Sequence, residues 1–156
     1  MFAVFLDVDG VLNTKTTVQI SPDGFTGIDD ARVEILAKSL AKYGDGVIVI
    51  TSDWKDIRGN SEDFSYLNNK LGNYGLSIYD TTTGKHRDRG AGVEKYLKSH
   101  PEIDEYIILD DTTFDFEDFP KLWERLLLTN GIENAKHASK TPAIEAMIFL
   151  DYIKMF

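Results

Sequence analysis

Phe2-Ala3-Val4-Phe5-Leu6-Asp7-Val8-Asp9-Gly10 decides the fold. The apolar run is short and partly aromatic and β-branched, so it reads as a strand buried on both faces. It stops at two carboxylates two residues apart and an Asp9-Gly10 turn pair. The same pattern recurs twice. Gly46-Val47-Ile48-Val49-Ile50 runs into Thr51-Ser52, and Tyr106-Ile107-Ile108-Leu109 runs into Asp110-Asp111. Open α/β sheets bind ligands outside the carboxyl ends of their strands. Three buried strands that end in carboxylates and hydroxyls therefore point to one site assembled from distant parts of the chain.

The segments between these strands support that fold class. Asp29 to Tyr43 carries Val33, Leu36, Ala37, Leu40 and Ala41 at helical spacing, and Gly44 stands where a helix C-cap favours glycine. Ser61 to Leu71 and Ala91 to Ser99 are further helices, and Leu76 to Tyr79 is a weak strand. Leu126 to Thr129 reads as the last strand, before the turn pair Asn130-Gly131. Thr141-Pro142 reads as an N-cap with proline at the first helical position. The closing helix, Ala143 to about Ile153, is apolar nearly all round and is expected to pack into the core. Asn13 to Phe25, rich in Thr, Pro, Asp and Gly, is a loop or a small hairpin with Thr16 to Ile20 on one arm. Alternating strands and helices predict an α/β domain, 1–156, around a mainly parallel sheet with helices on both faces.

Composition narrows the chemistry. The 156 residues are 42% hydrophobic and 28% charged, which is ordinary globular composition. Seventeen basic against 26 acidic residues give a net charge of −9. That opposes extended contact with duplex nucleic acid, whose affinity comes mainly from phosphates. The absence of cysteine excludes thiol catalysis, disulfides and cysteine-ligated metals. The N-terminal apolar run meets Asp7 too soon for a signal peptide, and no long uncharged stretch suits a membrane. A cytoplasmic protein is expected.

Asp7, Asp9, Asp110 and Asp111 are expected to crowd one sheet edge, where repulsion calls for a hard divalent cation. Mg²⁺ takes oxygen ligands, one or two carboxylates plus a phosphate among them. A carboxylate beside it can attack phosphorus, and a second can protonate the leaving oxygen. Asp-Gly after a strand is also common turn chemistry, and Val11-Leu12 breaks an EF-hand reading, so the three strand ends together carry the argument. His86, His100 and His137 show no metal-ligand spacing. Trp54, Tyr66, Tyr74 and Tyr79 are read as packing residues rather than base-stacking ones.

Phe5 to Asn13, Val47 to Ser52 and Ile107 to Asp111 resemble motifs I, II and IV of the haloacid dehalogenase (HAD) superfamily. The resemblance covers most of the chain and implies a Rossmann-like HAD fold. It makes Asp7 the nucleophile and Asp9 the general acid/base. It assigns Mg²⁺ to Asp7, the backbone carbonyl of Asp9, and Asp110, with Asp111 in support. Thr51 and the N–H of Ser52 would hold the phosphoryl group. Asp9 favours phosphate-ester hydrolysis, since HAD phosphatases carry an acid there. The motif III cation is Lys85 or Arg89, and Arg89 is preferred. Arg89-Gly90 and the helix after it resemble small HAD domains found in RNA-repair proteins, a subgroup with Trp-Arg after motif II where this chain has Trp54-Lys55. Lysine keeps the charge but loses bidentate geometry.

Neither interval between the motifs has room for a separate cap, so the expected enzyme is capless. The expected function is a Mg²⁺-dependent phosphatase acting on a phosphorylated small molecule, a nucleotide or a nucleic-acid end. The alternatives are a non-catalytic phosphate- or metal-binding module on the same fold, and phosphoryl transfer to an acceptor other than water. The strip Lys85 to Arg89, with Lys55 and Arg58, is the expected cationic contribution to such a substrate. Asn13 to Phe25 is a candidate flap over the site.

Overall fold

The computed structural model describes residues 1–56, 62–85 and 87–156. The side chain of Lys55, and Arg58, Ser61 and His86 entire, lie outside the described residues. Strands β1 (Phe2–Leu6), β2 (Gly46–Ile50), β3 (Ile78–Thr81), β4 (Glu105–Asp110), β5 (Leu126–Leu128) and β6 (Lys136–His137) form one sheet in the order β3-β2-β1-β4-β5-β6. All neighbours are parallel except β5 and β6. The helices are α1 (Asp30–Tyr43), α2 (Glu62–Gly72), α3 (Arg89–Ser99), α4 (Pro120–Trp123) and α5 (Ile144–Met155).

Side chains alternate across the sheet, and each set finds its own helices. Val4, Leu6, Ile48, Ile50, Ile107 and Leu109 pack with residues of α1, α2 and α5. Ala3, Phe5, Val49, Tyr106 and Ile108 pack on the other face with Val93 and Tyr96 of α3 and Leu122 of α4. Burial on both faces explains why these strands are apolar at every position rather than alternating.

The central strands deliver their ends at one level. Leu6 is opposite Ile50 on one side and Leu109 on the other. The ladder continues one residue further, with the Asp7 N–H donating to the Leu109 carbonyl and the Thr51 N–H to the Leu6 carbonyl, both at 2.9 Å. Asp7, Thr51 and Asp110 are thereby fixed side by side by backbone hydrogen bonds.

Several sequence expectations need correction. Leu126 to Leu128 is followed by β6, whose two residues leave no periodic signature. Strand β3 lies at Ile78–Thr81 rather than at Leu76 to Tyr79, and α3 starts two residues before Ala91. Thr141-Pro142 does not cap the last helix. The Thr141 N–H is turned to Ser139 Oγ at 3.0 Å, and Ala143 is the N-cap. Helix α5 buries Ala146, Phe149, Leu150 and Ile153 but leaves Ile144, Met147, Ile148 and Met155 exposed, because the sheet contact takes one face only. Of the two readings of Asn13 to Phe25 the loop holds, pinned by a single antiparallel bridge, Ile20 to Thr26. Among the described residues, the interval between β2 and β3 holds a 3-10 turn, Asp53–Asp56, and α2. No helix among the described residues is long and apolar enough to cross a membrane.

Candidate active site

Asp7 ends β1, Asp110 ends β4 and Asp111 follows it, and one carboxylate oxygen from each lies within 4.8 Å of the others. Asp7 and Asp110 are buried while Asp111 is exposed. Arg89, the first residue of α3, reaches between the buried pair. Its Nη1 is 2.7 Å from Asp7 Oδ1 and 3.0 Å from Asp110 Oδ2. The Thr112 N–H donates to Asp110 Oδ1 at 3.1 Å.

Burial penalises the charged form of both carboxylates. It pushes Asp7 well above the usual range, Asp110 adds to that push, and Arg89 opposes it. Burial likewise raises Asp110 to about 7 against the pull of Arg89. Two buried polar atoms here have no hydrogen-bond partner among the described residues: Thr51 Oγ1 and Arg89 Nε. Such atoms cost stability unless a ligand or water meets them. Carboxylate oxygens arranged this way fit a hard divalent cation, and such an ion would offset the cost of burying two acids.

Asp9 does not join the cluster. The chain leaves β1 and turns at Asp9-Gly10, so the period of two that would align Asp7 with Asp9 no longer applies. Asp9 is exposed and faces a cavity of about 980 Å³. Asn13 holds it there: Nδ2 donates to Asp9 Oδ1 at 2.9 Å and to the Gly27 carbonyl at 2.8 Å, and Oδ1 accepts the Gly10 N–H. The Gly10 carbonyl accepts from Thr129 Oγ1 at 2.6 Å and from the Gly131 N–H at 2.8 Å. Asn13 and Thr129 were not singled out by sequence, although each is a buried polar residue beside an apolar run.

Gly10 is held at φ +83°, and a Cβ there would lie 2.3 Å from Asp111 Oδ2. Gly10→Ala is therefore expected to lose about 2–4 kcal/mol of stability, from strained backbone plus displacement of Asp111. Chemical denaturation measures this. A loss below about 0.5 kcal/mol would show that Asp111 moves aside freely.

Among the motif III candidates, Arg89 is the one brought to the carboxylates. Lys85 is exposed in the loop before α3 and makes no ion pair with the cluster among the described residues. Burial of Arg89 also removes it from the expected cationic strip, leaving Lys85 and Arg87 exposed there. Ser52 is buried, and its Oγ accepts the Trp54 N–H. Trp54 belongs to the core, with Tyr66 and Tyr74 packed against it, whereas Tyr79 is largely exposed. His100 stacks on Tyr96 and His137 lies in β6, and neither belongs to the carboxylate cluster.

Beyond Asp9 and Asp111, the cavity is lined by Lys15, Phe25, Trp54 and Asn134. The candidate flap thus forms part of its wall. That segment is tied down: Asp63 of α2, fully buried, accepts from Ser21 Oγ at 2.8 Å and from the Asp23 N–H at 2.9 Å.

A family model described as the HAD domain in Swiss Army Knife RNA repair proteins matches residues 3–133. No curated protein and no solved structure matches the chain.

Proposed function

The chain belongs to that family of HAD domains, and from this premise we propose that it is a Mg²⁺-dependent phosphatase that hydrolyses a phosphate monoester through an aspartyl-phosphate on Asp7. The observation that carries this reading is the pair of buried donors without a partner among the described residues, Thr51 Oγ1 and Arg89 Nε, next to a buried carboxylate. Donors without partners beside a nucleophile suit a phosphoryl group, whose transfer depends mainly on positioning and charge neutralisation.

Asp7, Asp110 and Asp111 would hold Mg²⁺, with the Asp9 carbonyl as a further oxygen ligand. When bound, the ion neutralises charge on the phosphoryl oxygens and lowers the pKa values of the buried acids. An oxygen of Asp7 attacks phosphorus, and the bond to the leaving oxygen breaks. Asp9, positioned by Asn13, gives its proton to that oxygen. Asp9 then takes a proton from water as the water oxygen attacks the acyl phosphate. This releases inorganic phosphate and restores both carboxylates. Thr51 and Arg89 donate to the phosphoryl oxygens throughout.

Nucleotides and nucleic-acid ends are the substrate class we favour. A cavity of about 980 Å³ is large enough for a nucleotide-sized leaving group. Lys15 on its wall is exposed and has no ion pair among the described residues, and the Phe25 ring is 66% exposed. A net charge of −9 disfavours a longer duplex contact.

The test is release of phosphate from p-nitrophenyl phosphate, then from 5′- and 3′-phosphorylated oligonucleotides, mononucleotides, sugar phosphates and phosphopeptides, all with Mg²⁺. Turnover that a chelator abolishes is expected. No turnover on the whole panel would overturn the reading in favour of a phosphate-binding module. A strong preference for sugar phosphates would overturn the substrate class.

A further inference from the structure

Arg89 is held from behind by two residues that the proposed chemistry does not use, Phe114 and Asp115, on the loop after β4. The loop leaves β4 at Asp110, carries Asp111, and continues through Thr112 and Thr113 to Phe114 and Asp115. The Phe114 ring lies under the Arg89 guanidinium, 4.6 Å from Cζ to the ring centroid. Asp115 spans the start of α3: Oδ1 accepts the Gly90 N–H at 2.6 Å and Oδ2 accepts the Ala91 N–H at 2.9 Å. The helix's own N-cap residue, Asp88, makes no side-chain cap bond among the described residues. The cap therefore comes from a residue 24 or 25 positions away, on the same loop as Asp111.

Two further details show that the arrangement is specified. Gly90 leaves room for it, since a Cβ there would lie 2.9 Å from Asp115 Oδ1 and 3.0 Å from Phe119 Cδ2. Phe114 has φ +40°, the one positive φ at a non-glycine residue among those described. A bulky side chain is strained in that region, and such strain persists where the surroundings over-determine it.

We infer that Phe114 and Asp115 are positioning residues for Arg89. Asp115 fixes the first turn of α3, and Phe114 fixes the plane of the guanidinium. Nη1 is thereby kept between Asp7 and Asp110, and Nε is left as a free donor. The backing ring matters because a guanidinium between two acids has other ways to pair with them, and a stacked ring restricts its rotation. This inference rests on the proposed phosphatase reading for its kinetic consequence but not for its structural one.

The experiment compares Phe114→Leu with Phe114→Tyr, in the native and the Arg89→Ala backgrounds. Leucine keeps apolar bulk and the same backbone strain but has no π face. Phe114→Leu is expected to lower kcat about tenfold with little change in Tm, and Phe114→Tyr to retain native turnover. In the Arg89→Ala background, Phe114→Leu is expected to cost nothing more, because the group it positions is gone. Asp115→Ala should act in the same direction and Asp115→Asn should recover part of the loss. A second readout is independent of turnover: ¹⁵N relaxation of the Arg89 Nε–H in the metal-free protein, where its order parameter falls in Phe114→Leu. Equal turnover of the Leu and Tyr variants, or an equal cost with and without Arg89, overturns the inference. A native protein without turnover overturns the phosphatase reading alone, and the relaxation measurement then decides the positioning role.

Discussion

Asp7→Asn is expected to reduce phosphate release by about 10⁴-fold or more and to leave the fold intact. The size follows from the role, since an amide oxygen is a poor nucleophile and the other buried carboxylate is already engaged. Asp110 bonds both Arg89 and the Thr112 N–H, and Asp9 stands apart at the cavity wall. The stability result follows from the environment. Asp7 is buried, and burial together with Asp110 already disfavours its ionised form. Asparagine has the same shape without the charge. Arg89 loses an ionic partner but keeps Asp110 at 3.0 Å. The metal-free variant should therefore match or exceed the native Tm. Phosphate release, a thermal scan and mass spectrometry of acid-quenched protein check the three parts. The phosphoryl adduct should map to the peptide containing Asp7 and be missing in the variant. Undiminished turnover, or an adduct on another peptide, would remove Asp7 from its role.

The strand ends were legible in the sequence because burial on both faces leaves a continuous apolar run, and a run that stops at a carboxylate marks its own edge. Asp7, Thr51 and Asp110 were found that way, and the backbone ladder does place them together. Asp9 was misplaced for a physical reason. Period-two reasoning assumes extended backbone, and the chain turns at Asp9-Gly10, before the second carboxylate can align with the first. Lys85 and Arg89 are alike in charge and close in sequence. The start of α3 at Arg89, two residues before the expected boundary, separates them. Phe114 and Asp115 carried no signal at all. They act across 24 or 25 residues on a helix that lacks a working cap of its own, and only the folded contact reveals it. The exposed side of α5 was unreadable because apolar residues all round a helix say nothing about which side is covered.

The metal-free protein is expected to lose stability as pH rises from about 4 to 8, and Mg²⁺ to restore it at the upper end. Asp110 titrates near 7 in the folded chain, against 3.8 as the ordinary value. The folded state thus holds a proton that the unfolded state has released. Its contribution is fully present below pH 4 and is lost as pH climbs through 7. Asp7, shifted in the same direction, adds to the slope. His137 works against it, because burial lowers its pKa and stability then rises with pH as the unfolded imidazole deprotonates. Comparison with Asp110→Asn isolates the Asp110 part, since that variant keeps the His137 and Asp7 contributions and loses only that of Asp110. Mg²⁺ competes with the proton for the same oxygens, so its affinity should increase over this range and its binding should release protons. Thermal scans with and without Mg²⁺, and calorimetry in buffers of different ionisation enthalpy, measure both effects. A metal-free Tm that is flat or rising from pH 5 to 8, and unchanged by Asp110→Asn, would mean that the buried acids do not hold the proton and that the ion has no strain to relieve.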